Sequence, residues 1–424
     1  MSAAPMPVAA YTRDIATKPA TSVPRLESID LYRGLIMVIM LLDHTRDFVH
    51  RGGLYSDPLN LATTTPLLYI TRWITHLCAP GFVLLAGASA GFQRQRGATI
   101  PQLSKFLWTR GLAIVLIELT IVRVLAQGSV HLNFVGNLQV LWAIGVSMIA
   151  LAALIHLPPR ALLVVGIALV FGHNLLDTIT VPAWTNVAAP VPTGWGKLWI
   201  VLHQGGFFPL TGATSPIVKV NYPVLPWIGV ISLGYMFAHL WTWDADRRRH
   251  ALRFLSIAMV AAFLLLRFGN VYGDNLPWHA QDTLLKSAGS FFNVQKYPPS
   301  LLYLLATLAP CLFTLSILDG RSFTAFVPRA LITYGRVPMF YYLLQWAWAK
   351  LSGITVAAMA GLPLDSYFRS RGDVFLGAPI PVFGGTLLHV YICWLLGVVV
   401  LYFPCRWYAG VKARRKDLVL LRYL

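Results

Sequence analysis

Arg33, His44 and Asp47 fall in and around the apolar run "RGLIMVIMLLDHTRDF", where each is of a type that could do chemistry. Histidine titrates nearest to neutrality, so an imidazole in such a place is a ready proton acceptor. At about 100° per residue, the step from Arg33 to His44 is about 20° past three helical turns. The two therefore share one helix face, about 16 Å apart along the axis, with Met37 and Met40 between them. Asp47 follows His44 at i+3, close enough to orient the ring or raise its basicity. Asp43, Arg46 and His50 make a second ionisable stripe beside the first. A plainer reading has Arg33 reaching for lipid headgroups and the remainder forming a solvated helix end.

The elements that must hold these groups are transmembrane helices. Of the 424 residues, 57% are hydrophobic and only 12% charged, against about 25% charged in soluble domains. The expected fold is all-α, a polytopic transmembrane bundle. Lys and Arg number 34 against 16 Asp and Glu, a formal charge of +18. These basic residues punctuate apolar segments, which suits cytoplasmic loops facing anionic lipid and argues against nucleic-acid binding. The four cysteines lie in or beside apolar segments with no CxxC pair and no histidine at ligand spacing, so neither disulfides nor a metal site is expected.

Stretches near the length of a spanning helix lie at 30–49, 68–92, 106–126, 134–156, 161–180, 224–243, 251–269, 299–318, 329–352 and 385–408. Ten spans, possibly eleven, are expected, within a membrane domain at 25–411. Residues 1–24 read as a disordered cytoplasmic tail without a cleavable signal, and 412–424 as a basic cytoplasmic tail. Ten spans put both termini on one side, with Arg13, Lys18, Arg25, the run Arg247-Arg248-Arg249 and the tail "KARRKD". By the positive-inside rule that side is the cytoplasm, and the long loops 50–67, 181–223, 270–298 and 353–384 face outward. Within the loops, "ITVAAMAG" and "GKLWIVLHQGGFF" are candidates for re-entrant or interfacial pieces.

Other polar groups fall inside the spans. Arg110, Glu118 and Arg123 lie on the third, and Glu118 needs a partner or a proton, for which an ion pair to another helix is the simplest expectation. Asn137 and Gln139 lie on the fourth, and His173, Asn174 and Asp177 on the fifth, where polar residues more often join helices than bind substrate. His76 reads as a hydrogen-bonded bundle histidine. The small residues from Gly81 to Gly91 permit close helix packing.

The segment "RLESIDLYRG" followed by His44 resembles the opening of the heparan-α-glucosaminide N-acetyltransferase catalytic-domain family, in its bacterial branch. That family is similar to the acyltransferase-3 membrane enzymes, whose first helix carries an arginine, ten residues and a histidine, the spacing of Arg33 and His44. "THLCAPGFVLLAGASA", "WTRGLAIVLIELTIVR", "NLQVLWAIG", "GHNLLD", "KYPPSLLYLLATLAP", "YGRVPMFYYLL" and "CRWYAGVKARRKD" extend the likeness from about residue 25 to the end. The resemblance implies acyl transfer from cytoplasmic acetyl-CoA, or another acyl-CoA, to a sugar hydroxyl or amine of a cell-envelope glycan or glycolipid across a bacterial inner membrane. In the lysosomal member, asparagine matches His44 and the catalytic histidine comes later, which keeps His50 as a second candidate base.

On that footing Arg33, with Arg110, would meet the CoA phosphates or pantetheine amides. His44 would act as base or carry a transient acetyl group, and Asp47 would hold its ring. Direct transfer is the simpler of the two routes. Asn137, Gln139, His173 and Glu118 would line the substrate pocket. Two other functions compete: a proton-coupled or solute transporter built on Glu118, Arg110, Asp177 and His173, and a non-catalytic membrane scaffold. Broken helices in two corresponding halves would favour the transporter, and no such pair is seen. Membrane lipid and the cell-envelope acceptor are the expected partners; the sequence gives no oligomeric state.

Overall fold

The computed structural model describes residues 26–127, 134–212 and 216–415. Its helices are α1 (Glu27–Val49), α2 (Pro66–Ile74), α3 (Cys78–Gln95), α4 (Ile100–Ile117), α5 (Arg123–Gln127), α6 (Val140–Leu154), α7 (Pro159–Gly172), α8 (Gly194–Trp199), α9 (Leu225–Phe237), α10 (Ala245–Gly269), α11 (Leu284–Phe292), α12 (Leu301–Leu318), α13 (Phe326–Arg336), α14 (Pro338–Met359), α15 (Arg371–Phe375) and α16 (Leu387–Arg414). Each apolar stretch read from the sequence contains helix. Among the described residues, five helical segments are long and apolar enough to cross a bilayer by length and composition: Pro66–Gln95, Pro159–Thr178, Ala245–Gly269, Leu301–Leu318 and Leu387–Arg414. The ten expected spans are not reached on that criterion. α1 is long but carries charges at both ends, and α6, with 15 residues, is short. The amino-terminal tail with Arg13, Lys18 and Arg25, and the last residues of the basic carboxyl-terminal tail, lie outside the described residues.

α1 is the hub, packed against α3, α13, α14 and α16. Reciprocal glycines draw helix pairs together, as small residues do inside membranes. A Cβ on Gly34 would lie 1.8 Å from the Leu331 carbonyl oxygen, and one on Gly335 1.8 Å from that of Asp30, so α1 and α13 touch backbone to backbone. Gly87 and Gly234 do the same for α3 and α9, and Gly111 and Gly145 for α4 and α6. α10 and α16 lie at the periphery and expose Phe254, Ile257, Leu265, Leu388, Val399 and Phe403. An apolar face of that extent suits lipid, not water.

Three expectations change. Residues 134–156 are not one helix: Phe134–Leu138 forms β1, Gly136 takes φ +147°, which favours glycine, and helix begins at Val140. β1 joins β2 (Gly206–Pro209) and β3 (Ile217–Val220) in a small sheet of order β1-β3-β2, parallel at β1/β3 and antiparallel at β2/β3. The expected all-α bundle thus carries a sheet, whose central residue Lys219 lies between Asn137 and Phe207. Residues 329–352 break at Val337 (φ −129°, ψ 51°), because Pro338 disfavours helix in the residue before it. "ITVAAMAG" mostly continues α14, and "GKLWIVLHQGGFF" folds as α8, a wide helical turn and β2.

Candidate active site

Arg33 does not reach outward to headgroups. It donates to Asp30 Oδ1 (3.2 Å), to the Gly335 carbonyl (3.1 Å) and to Ser89 Oγ (3.3 Å), so three helices fix its guanidinium. The close α1–α13 approach at Gly34 and Gly335 is what brings that carbonyl within range. Arg33, Arg110, Arg336 and Lys412 together line a cavity of about 300 Å³ whose other walls are largely apolar, Met37 and Phe82 among them. Cations at the rim of an apolar cleft suit a long ligand with an anionic head and a neutral arm.

At the other end of the helix, His44 stacks on Trp346 with ring centroids 3.8 Å apart and planes 22° from parallel. Tyr342 meets it edge-on at 6.2 Å. Asp43 accepts both 2.7 Å contacts from Arg72 and pairs with Arg46 at 3.2 Å, and Arg46 also binds Asp47. Asp47 is therefore engaged by its neighbour, while His44 Nδ1, buried, meets no hydrogen-bond partner among the described residues. The expected Asp47–His44 pair is replaced by a ring stack. His44, Trp346, Asp43, Arg46, Asp47 and Arg72 line a second cavity of about 520 Å³, while Tyr342 lines the first. The two cavities share Met40, Phe82 and Val140, so they abut on the face that carries Arg33 and His44.

The remaining expected residues divide. Arg110 lines the first cavity and Gln139 the second. Glu118 is buried and accepts from the Leu141 N–H at 3.1 Å, so it caps α6; among the described residues it pairs with no cation, and it lines neither cavity. Asn137 is buried in β1 and lines neither cavity. His173 lies against His203, ring centroids 5.7 Å apart, in a separate cluster where His203 Nε2 meets Asp177 Oδ1 at 2.8 Å. His50 follows α1, its Nδ1 accepting from the Gly52 N–H at 3.2 Å, and lines neither cavity. Burial, then Arg46 and Arg51, lowers its proton affinity. His76 lines the second cavity, but neither ring nitrogen meets a partner among the described residues, contrary to the expected hydrogen-bonded histidine.

Sequence reasoning passed over Arg72, Lys219, Lys296 and Trp346. Arg72 carried a signal, since it stands four residues before His76 on one helical face. The two lysines sit in long connections, where no periodicity points to a site.

A helical, multi-pass membrane protein with a chamber at each end of its central helix, one largely apolar and one polar, is the class that fold and site define. The chain belongs to the family described as heparan-alpha-glucosaminide N-acetyltransferase, catalytic, whose model matches residues 25–270. The matched region runs from α1 through α10 and contains Arg33, His44, Arg110 and Lys219; Lys296 and Trp346 lie beyond it. No curated protein matches the chain.

Proposed function

We propose that this protein is an integral-membrane acetyltransferase that takes an acetyl group from acyl-CoA at the Arg33 end of α1 and gives it to a sugar amine or hydroxyl at the His44 end. The observation that carries this reading is the pair of cavities abutting at Met40, Phe82 and Val140. The family's name supplies the acetyl transfer. Arg33, Arg110, Arg336 and Lys412 would bind the phosphates of CoA, leaving the neutral pantetheine arm to follow the apolar wall past Met37. About 16 Å of helix separates Arg33 from His44, so the thioester meets the imidazole while the charged head stays at the cytoplasmic, Arg33 end.

In direct transfer, the acceptor nitrogen or oxygen attacks the thioester carbonyl as His44 takes its proton. The tetrahedral adduct collapses, the carbon–sulfur bond breaks, and the departing thiolate takes the proton from the imidazolium. CoA thiol and acetylated acceptor remain, and His44 is neutral again. Trp346 presents the ring, and Asp43 and Asp47, engaged by Arg46 and Arg72, act on it only through the field they set.

The reading includes ten spans, both termini in the cytoplasm, a bacterial inner membrane and an acceptor from the cell envelope. The basic run Arg247-Arg248-Arg249 at the start of α10 supports that orientation. Purified protein in lipid vesicles, given radiolabelled acetyl-CoA, should release CoA thiol only when envelope extract is present, with label moving to a glycan fraction. Absence of both under conditions where acetyl-CoA binds would sink the proposal.

A further inference from the structure

The second cavity, at the His44 end and outward-facing on the proposed topology, is here the outer cavity, and it has more positive charge than its own carboxylates answer. Asp43 and Asp47 are held by Arg46 and Arg72, and Asp57 Oδ1 accepts the Leu59 N–H. Lys219 and Lys296 line the same cavity, and among the described residues neither ammonium meets a carboxylate within 4.0 Å. Each lies against the face of an aromatic ring: Lys219 lies 4.9 Å from the Phe207 centroid, and Lys296 5.3 Å from that of Tyr297. Cation–π contact attracts an ammonium but provides no counter-charge. Arg371 adds a further cation to the lining.

Their placement is built, not incidental. Lys219 is the central residue of the small sheet, fixed in register opposite Asn137 on one side and Phe207 on the other. Lys296 is 8% exposed, although an ammonium in a loop would ordinarily turn to water. Burial, and then Arg371, draws the Lys219 ammonium down to about 7, and an anion beside it would raise it again.

We infer that the outer cavity selects an acceptor that itself carries an anionic group, a phosphate or a carboxylate, held by Lys219 and Lys296 while its amine or hydroxyl faces His44. The inference rests on the transfer reading for the position of the acceptor, but the anion subsite can be tested without turnover. A charge-assisted contact of this kind changes affinity by roughly tenfold or more.

Full-length protein in neutral detergent, with both faces accessible, is titrated with glucose, glucose 6-phosphate and glucuronate by calorimetry, and assayed for acetylation of glucosamine and glucosamine 6-phosphate from acetyl-CoA. The expected result is tighter binding of the two anions than of glucose, and a kcat/KM at least about tenfold higher for the phosphorylated amine. In K219A and K296A the ratio between charged and neutral ligand should collapse toward one, while K219R and K296R, checked for an unchanged melting temperature, should keep most of it. If neither glucose 6-phosphate nor glucuronate binds more tightly than glucose, the subsite is overturned, even where acetyl transfer proceeds. If the anions bind but no acetyl-CoA is consumed with any acceptor, the transfer reading falls and the subsite stands. Displacement of glucose 6-phosphate by phosphatidylglycerol, but not by phosphatidylcholine, would assign the lysines to a lipid headgroup and overturn the acceptor.

Discussion

Stacking between His44 and Trp346 gives a test in which two substitutions must be dependent. The rings are 3.8 Å apart at 22°, and His44 Nδ1 has no hydrogen-bond partner among the described residues, so the stack is what orients the imidazole. Aromatic pairs of this kind contribute about 0.5–1.5 kcal/mol beyond area burial. Loss of that term should cost about two- to twelvefold in turnover, at about 1.4 kcal/mol per decade. Trp346→Leu should therefore lower kcat by about that factor with little change in acetyl-CoA affinity, and Trp346→Phe should lose less. His44→Ala removes the base itself and should cost about 10²–10⁴-fold. Because Trp346 acts only through His44, the double variant should be no slower than His44→Ala alone. Single-turnover acetyl transfer in vesicles, with thermal unfolding run alongside, compares the four variants with the unaltered protein. Losses that multiply in the double variant would refute the argument, as would full activity in His44→Ala.

Arg33→Ala should weaken acetyl-CoA binding by roughly ten- to a hundredfold, and Arg33→Lys by less, since lysine keeps the charge but loses the fork that reaches Gly335 and Ser89; unchanged affinity in both by calorimetry would make Arg33 purely structural. Gly34→Ala would put a methyl 1.8 Å from the Leu331 carbonyl oxygen, so a cost at the upper end of the ~1–3 kcal/mol of overpacking is expected. A clear fall in melting temperature should follow, whereas Gly172→Ala, with nothing within 4 Å, should leave it nearly unchanged. Reporter fusions at residue 248 and at the carboxyl terminus should both report cytoplasm, and those near 205 and 285 the outside; opposite sides for 248 and the carboxyl terminus would rule out an even number of spans between them.

The face shared by Arg33 and His44 was legible because a rigid helix turns spacing directly into direction. Asp47 shows the limit of the same rule. Its i+3 spacing puts it near His44, but Arg46 is adjacent, and a carboxylate goes to the nearest cation before a neutral ring. Glu118 was recognised as needing a partner, yet a backbone N–H at the start of α6 is invisible in a list of side chains. Residues 134–138 read as helix because the run "FVGNLQVLWAIG" is largely apolar, and apolarity alone does not separate a buried strand from a helix. Lys219 and Lys296 reach the chamber by tertiary folding of separate connections, so neither spacing nor composition could join them to His44. His173 shows the converse: polar, within a span and close in type to a site residue, it belongs to another cluster altogether.

The shared wall of the two cavities also bears on energy conservation. On the proposed topology, Met40, Phe82 and Val140 form the boundary that the two cavities share, and so part of the insulation of the bilayer at this place. Met40, with three rotatable bonds, can swing aside for a passing arm and close again between the stiffer Phe82 and Val140. Each turnover then briefly replaces a protein plug with a substrate plug. The reacting molecule is its own seal, and the cost of idling with the wall open would be paid in lost proton gradient.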